Sequence, residues 1–103
     1  MNYRIPCTDV LAGTKVLFYV ATNETDTSLI LIDAYSLKKM ELHMNKKPLV
    51  YTLLLPFNEA GSYYYYFKIG NKFLDAEGTK EDAIIRPFTL NVYKENFLAE
   101  AVI

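Results

Sequence analysis

A chain of 103 residues is long enough for one domain with a buried core but leaves little material for a catalytic cleft as well. Its 11 basic and 12 acidic side chains nearly cancel, and no basic block exceeds pairs such as Lys46-Lys47, which argues against a dedicated nucleic-acid surface. Cys7 is the single cysteine, so no internal disulfide is possible and packing alone must hold the fold. That usage fits a reducing compartment. The first residues, Met1-Asn2-Tyr3-Arg4-Ile5-Pro6, lack a long apolar stretch, and no later run approaches the roughly 18 apolar residues of a membrane span. The expectation is a soluble, cytoplasmic chain with no membrane partner.

In chain order, short strand signals recur about every ten residues with turn chemistry between them. Residues 14–22 alternate Val16, Phe18 and Val20 against Leu17, Tyr19 and Ala21, apolar enough on both faces for a central strand. The polar run Asn23-Glu24-Thr25-Asp26-Thr27 ends it. Residues 29–32 give a second buried-strand signal. Residues 39–44 set Met40, Leu42 and Met44 inward against Glu41 and His43 outward, and Asn45-Lys46-Lys47-Pro48 then turns the chain. Residues 49–55 read as a strand and 56–61 as a loop.

Next comes Gly61-Ser62-Tyr63-Tyr64-Tyr65-Tyr66-Phe67-Lys68-Ile69, with five consecutive aromatics. Aromatic residues lose rotamer freedom in a helix and are enriched in strands, so this run reads as a strand with a period of two. Tyr63, Tyr65, Phe67 and Ile69 form the more apolar set and should face the core, leaving Tyr64 and Tyr66 outward. Gly70-Asn71-Lys72 signals a tight turn, after which Phe73-Leu74 should pair back as a hairpin. Residues 75–82 are acidic and loop-like. A last strand over 87–93 alternates Phe88, Leu90 and Val92 against Thr89, Asn91 and Tyr93.

About seven strands and no convincing long helix predict an all-β chain, an immunoglobulin-like antiparallel β-sandwich over residues 1–94. The main alternative, an oligonucleotide-binding barrel, lacks its charge signature here. Val16, Phe18, Val20, Leu29, Leu31, Leu53, Tyr65, Phe67, Leu90 and Val92 should supply much of the core.

Catalytic chemistry finds little to stand on. His43 is the only histidine and sits on an outward strand position with no Ser or Cys beside it in sequence. Cys7 has no neighbouring base. Asp75, Glu77, Glu81 and Asp82 offer oxygen ligands, but their spacing matches no known calcium loop, so neither metal nor cofactor is expected. Asn23-Glu24-Thr25 fits the glycosylation triplet, which matters only in a secreted chain.

The order of a turn glycine, alternating Tyr63, Tyr65 and Phe67, a glycine turn and then Asp75 resembles the starch- and glycogen-binding sandwich domains of the α-amylase superfamily. The stretch Pro87-Phe88-Thr89-Leu90-Asn91-Val92-Tyr93 and the ending Phe97-Leu98-Ala99-Glu100-Ala101-Val102-Ile103 are similar to the junction in neopullulanases and cyclomaltodextrinases, where the N-terminal sandwich hands over to the catalytic barrel. Phe97 stands where a tryptophan is usual, and Gly70-Asn71 replaces the common Asp-Gly turn. The resemblance implies a non-catalytic accessory domain that packs on the barrel or on a second subunit, with residues 95–103 as the start of the connection. It also implies contact with α-glucan or a maltooligosaccharide through Tyr35, Tyr66 and Phe73, at the places of a tryptophan, a lysine and a second tryptophan in glycogen-binding members. The absence of tryptophan removes the largest stacking platform and weighs against a strong free-standing binder. A protein-interaction sandwich without sugar binding is the other class.

Overall fold

Alternating apolar residues in segments of five to nine, each ended by Gly, Pro or Asx chemistry, fold as strands in the computed structural model, which describes residues 1–81 and 84–94. Among these there is no helix. The strands are β1 (Arg4–Ile5), β2 (Val10–Leu11), β3 (Thr14–Val20), β4 (Thr27–Asp33), β5 (Lys39–His43), β6 (Asn45–Lys47), β7 (Val50–Phe57), β8 (Gly61–Ile69), β9 (Lys72–Asp75), β10 (Gly78–Lys80) and β11 (Phe88–Tyr93).

They form two sheets. One runs β1-β3-β7-β6; in the other β10-β9-β8-β11-β2 is joined by β4, which bonds β8, and by β5, which bonds β4. Pairing is antiparallel except for β2 with β11. The aromatic strand β8 is central: β4 takes one edge over Tyr63 to Ile69, while β11 and β9 share the other, at Gly61 to Tyr65 and Phe67 to Ile69.

The sheets enclose a single core. Val16, Phe18 and Val20 of β3 meet Leu29, Tyr65, Phe67 and Leu90 of the opposite sheet, all at most 2% exposed. Phe18 approaches the Tyr65 ring edge-on at 5.1 Å, and Tyr65 stacks on Phe88 at 5.1 Å, geometry that adds to the gain from area alone. Full burial of such side chains stabilises by roughly 1.5 to 3 kcal/mol each, which suits a domain without cross-links. Leu53, expected in the core, is only half-buried against it.

The seven expected strands are all present, and four short ones join them. β1, β2, β6 and β10 have two or three residues each, too few to display a period. Asn45–Lys47, expected as a turn, pairs with Val50 to Thr52 of β7, and Gly78–Lys80 builds a hairpin with β9 inside the supposed acidic loop. Residues 95–103, expected as the connection to a further domain, lie outside the described residues.

Candidate functional site

Strand alternation and register together define the outer face of the larger sheet. Ile32 lies opposite Tyr64, Ile30 opposite Tyr66 and Ser28 opposite Lys68 across β4 and β8; on the flanks, Lys39 faces Ile32, Glu41 faces Ile30, and Phe73 faces Lys68. These side chains share one surface, with apolar residues in its middle and Lys39, Glu41, His43 and Lys68 around them.

Tyr66 and Phe73, singled out from the sequence, meet here. Their rings are edge-to-face at 5.9 Å, and Lys39 Nζ sits 5.7 Å from the Tyr66 ring centroid, a cation–π arrangement. Tyr66 was expected to stand open to solvent. It does occupy the outer face, but it is only 7% exposed, because Ile30 beside it, the Phe73 edge and the Lys39 stem cover the ring. Tyr64 is the more open ring on this face, at 37%. Phe73 is half-buried.

Tyr35 is elsewhere. It lies in the turn between β4 and β5, two residues beyond Asp33, which pairs with Tyr63; Phe73 pairs with Lys68. Five residues of β8 separate these levels, about 17 Å at the rise of an extended strand. The turn is stiff: Asp33 Oδ1 accepts from the amides of Tyr35 and Ser36 at 2.8 and 3.0 Å, the Ser36 hydroxyl accepts from Lys38 N, and Leu37 takes φ +62°. The Ser36 and Tyr35 amides hold the Asp33 carboxyl below its ordinary pKa. Tyr35 itself is 98% exposed, a fixed aromatic knob in water.

The fold also brings together a pair that the sequence reading missed. Ser28 and His43 are directly opposite in the β4–β5 ladder, with Ser28 Oγ 3.2 Å from His43 Nδ1, and Asp26 Oδ1 lies 3.8 Å from the same nitrogen. A nucleophilic relay needs serine and carboxylate on opposite ring nitrogens, so this trio lacks the arrangement for acyl transfer. The register of the hairpin was the signal that could have found it, but it depends on the length of the 34–38 turn.

Asp75, weighed as a cation ligand, has both oxygens engaged within the fold. Lys80 Nζ lies at 2.8 Å, and the amides of Glu77 and Arg86 donate at 2.9 and 2.7 Å. Burial alone would raise this carboxyl, but the Arg86 amide, the Lys80 ammonium and the Glu77 amide outweigh it and hold the pKa below the ordinary value. The group ties β9 to β10 and to the segment entering β11. Among the described residues no cluster of three or more His, Cys, Asp or Glu side chains is set to hold a metal, and no helix is long and apolar enough to cross a membrane.

In comparisons with known proteins, the chain matches no family model, no curated protein and no solved structure.

Proposed function

We propose that this chain is an immunoglobulin-like, non-catalytic accessory domain of an α-amylase-type glycoside hydrolase, and that it contributes to recognition of an α-glucan. The observation that carries the reading is the pairing of Phe73 with Tyr66 on a sheet face that also presents Tyr64 and is bordered by Lys39 and Lys68. Partly exposed rings take the apolar faces of pyranose units, and the surrounding charged and polar groups take their hydroxyls. In this arrangement Tyr66 supports Phe73 from below, while Phe73, Tyr64 and the distant Tyr35 make the contacts. The resemblance of the tyrosine strand and of the last strand to the starch-binding sandwiches supports the same class.

A packing role against a catalytic barrel or a second subunit has its own support. Ile5, Leu17 and Leu54 align in one row across β1, β3 and β7 on the outer face of the smaller sheet, with Ile5 59% and Leu54 54% exposed. The two roles use opposite faces and are compatible.

Titration with a linear maltooligosaccharide, followed by calorimetry and by amide shifts, tests the reading. Shifts at Tyr64, Tyr66 and Phe73 with millimolar sugar are expected. No heat and no shifts on that face would remove glucan recognition and leave the protein-interaction role.

A further inference from the structure

We propose a second ligand site at one end of the sandwich, a cleft that takes a single neutral polyhydroxylated ring such as a hexose. It measures about 270 Å³ and opens between the end of β3, the segment that follows it and the β8–β9 hairpin. It is distinct from the outer face, because Lys72 and Leu74 line it while Phe73, between them on β9, points to the other side of the sheet.

The floor is apolar and fixed: Val20, Ile69 and Leu74 are each at most 9% exposed. Tyr3 forms a wall, and its ring is held edge-on by Tyr19, Phe67 and Phe88 at centroid distances of 6.4, 6.0 and 5.9 Å. Glu24 and Lys72 stand on the rim. The backbone of Glu24 is pinned, its amide donating to Thr22 Oγ1 at 3.2 Å and its carbonyl accepting from Tyr51 Oη at 2.7 Å. Its Oε2 lies 2.8 Å from where a Cβ on Gly70 would stand, so the glycine, at φ +58°, leaves room for the carboxylate there.

That carboxylate is unused: among the described residues nothing hydrogen-bonds or ion-pairs with it. Among the described residues Lys72 reaches only Glu81, at 4.0 Å. The two rim charges do not pair with each other. The rim therefore offers a charged acceptor and a charged donor over an apolar floor. A sugar hydroxyl both donates and accepts, so neighbouring hydroxyls can use Glu24 and Lys72 together. The Thr22 hydroxyl, which accepts from the Glu24 amide, keeps its own hydrogen to donate, and Thr79 adds another hydroxyl. The ring's C–H face then lies against Tyr3 and Leu74. This inference does not depend on the glucan reading of the outer face.

The test is amide-shift titration of the full chain with glucose, and in parallel with norleucine, a zwitterion of similar size. Glucose should move the amides of residues 21–24, 70–72 and 79, and norleucine should not. Glu24→Gln and Lys72→Met change exposed rim groups and should keep the melting temperature, while each weakens glucose binding about tenfold through loss of a charge-assisted hydrogen bond. Absent shifts at the cleft, equal shifts with norleucine, or unchanged affinity in both variants would overturn the proposal. A response confined to Tyr64, Tyr66 and Phe73 would overturn it while leaving the outer-face reading intact; cleft shifts alone would do the reverse.

Discussion

Arg4 Nη1 donates to the Tyr65 hydroxyl at 2.7 Å, joining the first strand to the centre of the tyrosine strand across 61 positions of sequence. Arg4 is 3% exposed, and among the described residues no carboxylate pairs with it. Its cation is held instead by oxygen dipoles: Tyr65 Oη, the Thr8 carbonyl at 3.0 Å and the Thr89 carbonyl at 3.4 Å, with Nε left unpartnered among the described residues. Tyr65 passes the chain on by donating to the Asn2 carbonyl at 2.8 Å. Burial raises the phenol's pKa against the opposing pull of Arg4. The tyrosine run therefore secures the N-terminal segment as well as filling the core.

Tyr65→Phe should destabilise the chain by about 1.5 to 3 kcal/mol, because it strips a buried cation of its shortest hydrogen bond and leaves the Asn2 carbonyl without its donor. Arg4→Met should cost less, since it removes the cation and its unmet Nε together and keeps an apolar side chain of similar length. Urea unfolding of the two variants checks the order. A larger loss in Arg4→Met would show that the guanidinium packs better than its hydrogen bonds suggest.

Asp75 predicts the acid limb of the stability curve. Its folded-state pKa lies below the ordinary value of 3.8, so between the two values the unfolded chain binds the extra proton. Its contribution is complete above that range and is lost as the pH falls through the folded value. Asp75→Asn should destabilise by about 2 to 3 kcal/mol at neutral pH, because Lys80 loses its closest charge partner, and should flatten the fall in melting temperature under acid. An unchanged acid limb in that variant would assign acid sensitivity to other carboxylates.

The two sides of β8 should respond differently to truncation. Phe67 is fully buried between the sheets, and Phe67→Ala should cost about 3 to 5 kcal/mol. Tyr64→Ala, on the open outer face, should cost no more than about 1 kcal/mol. Equal losses in thermal unfolding would contradict the register of Tyr65 opposite Leu31 and Tyr66 opposite Ile30.

Much of this architecture was legible in the sequence because a period of two is a strong signal when a strand is long. Val16, Phe18 and Val20 announce their face, as do Leu90 and Val92. Arg4 was not legible as a buried residue: a charged side chain in a two-residue strand carries no pattern, and two of its partners, Tyr65 and Thr89, lie 61 and 85 positions away. Asp75 read as a solvated acid for a similar reason, since the amide of Arg86 and the ammonium of Lys80 reach it only after β10 has paired. Tyr66 shows the limit of alternation itself. The period gives the face of the sheet, but exposure depends on what Ile30, Phe73 and Lys39 lay over the ring, which is a matter of register between strands.

The separation of Tyr35 from Phe73 makes glucan contact a question of ligand length. Each exposed ring should contribute on the order of 1 kcal/mol when a sugar stacks on it, so Tyr35→Ala and Phe73→Ala should each weaken a long maltooligosaccharide about fivefold. The two levels are about 17 Å apart along β8, far enough for the losses to add if one sugar chain engages both. A disaccharide cannot reach both rings, so its affinity should respond to one of the two changes and ignore the other. Tyr66→Phe should leave affinity nearly unchanged, because the covered ring supports Phe73 through its shape. Tyr66→Ala should weaken binding and lower the melting temperature together, since it removes the bed on which Phe73 rests. Calorimetric titration of these variants with a disaccharide and a long oligosaccharide measures all of this. A long oligosaccharide that loses affinity with Phe73→Ala but is indifferent to Tyr35→Ala would confine sugar contact to the sheet face and leave the 34–38 turn for a protein partner.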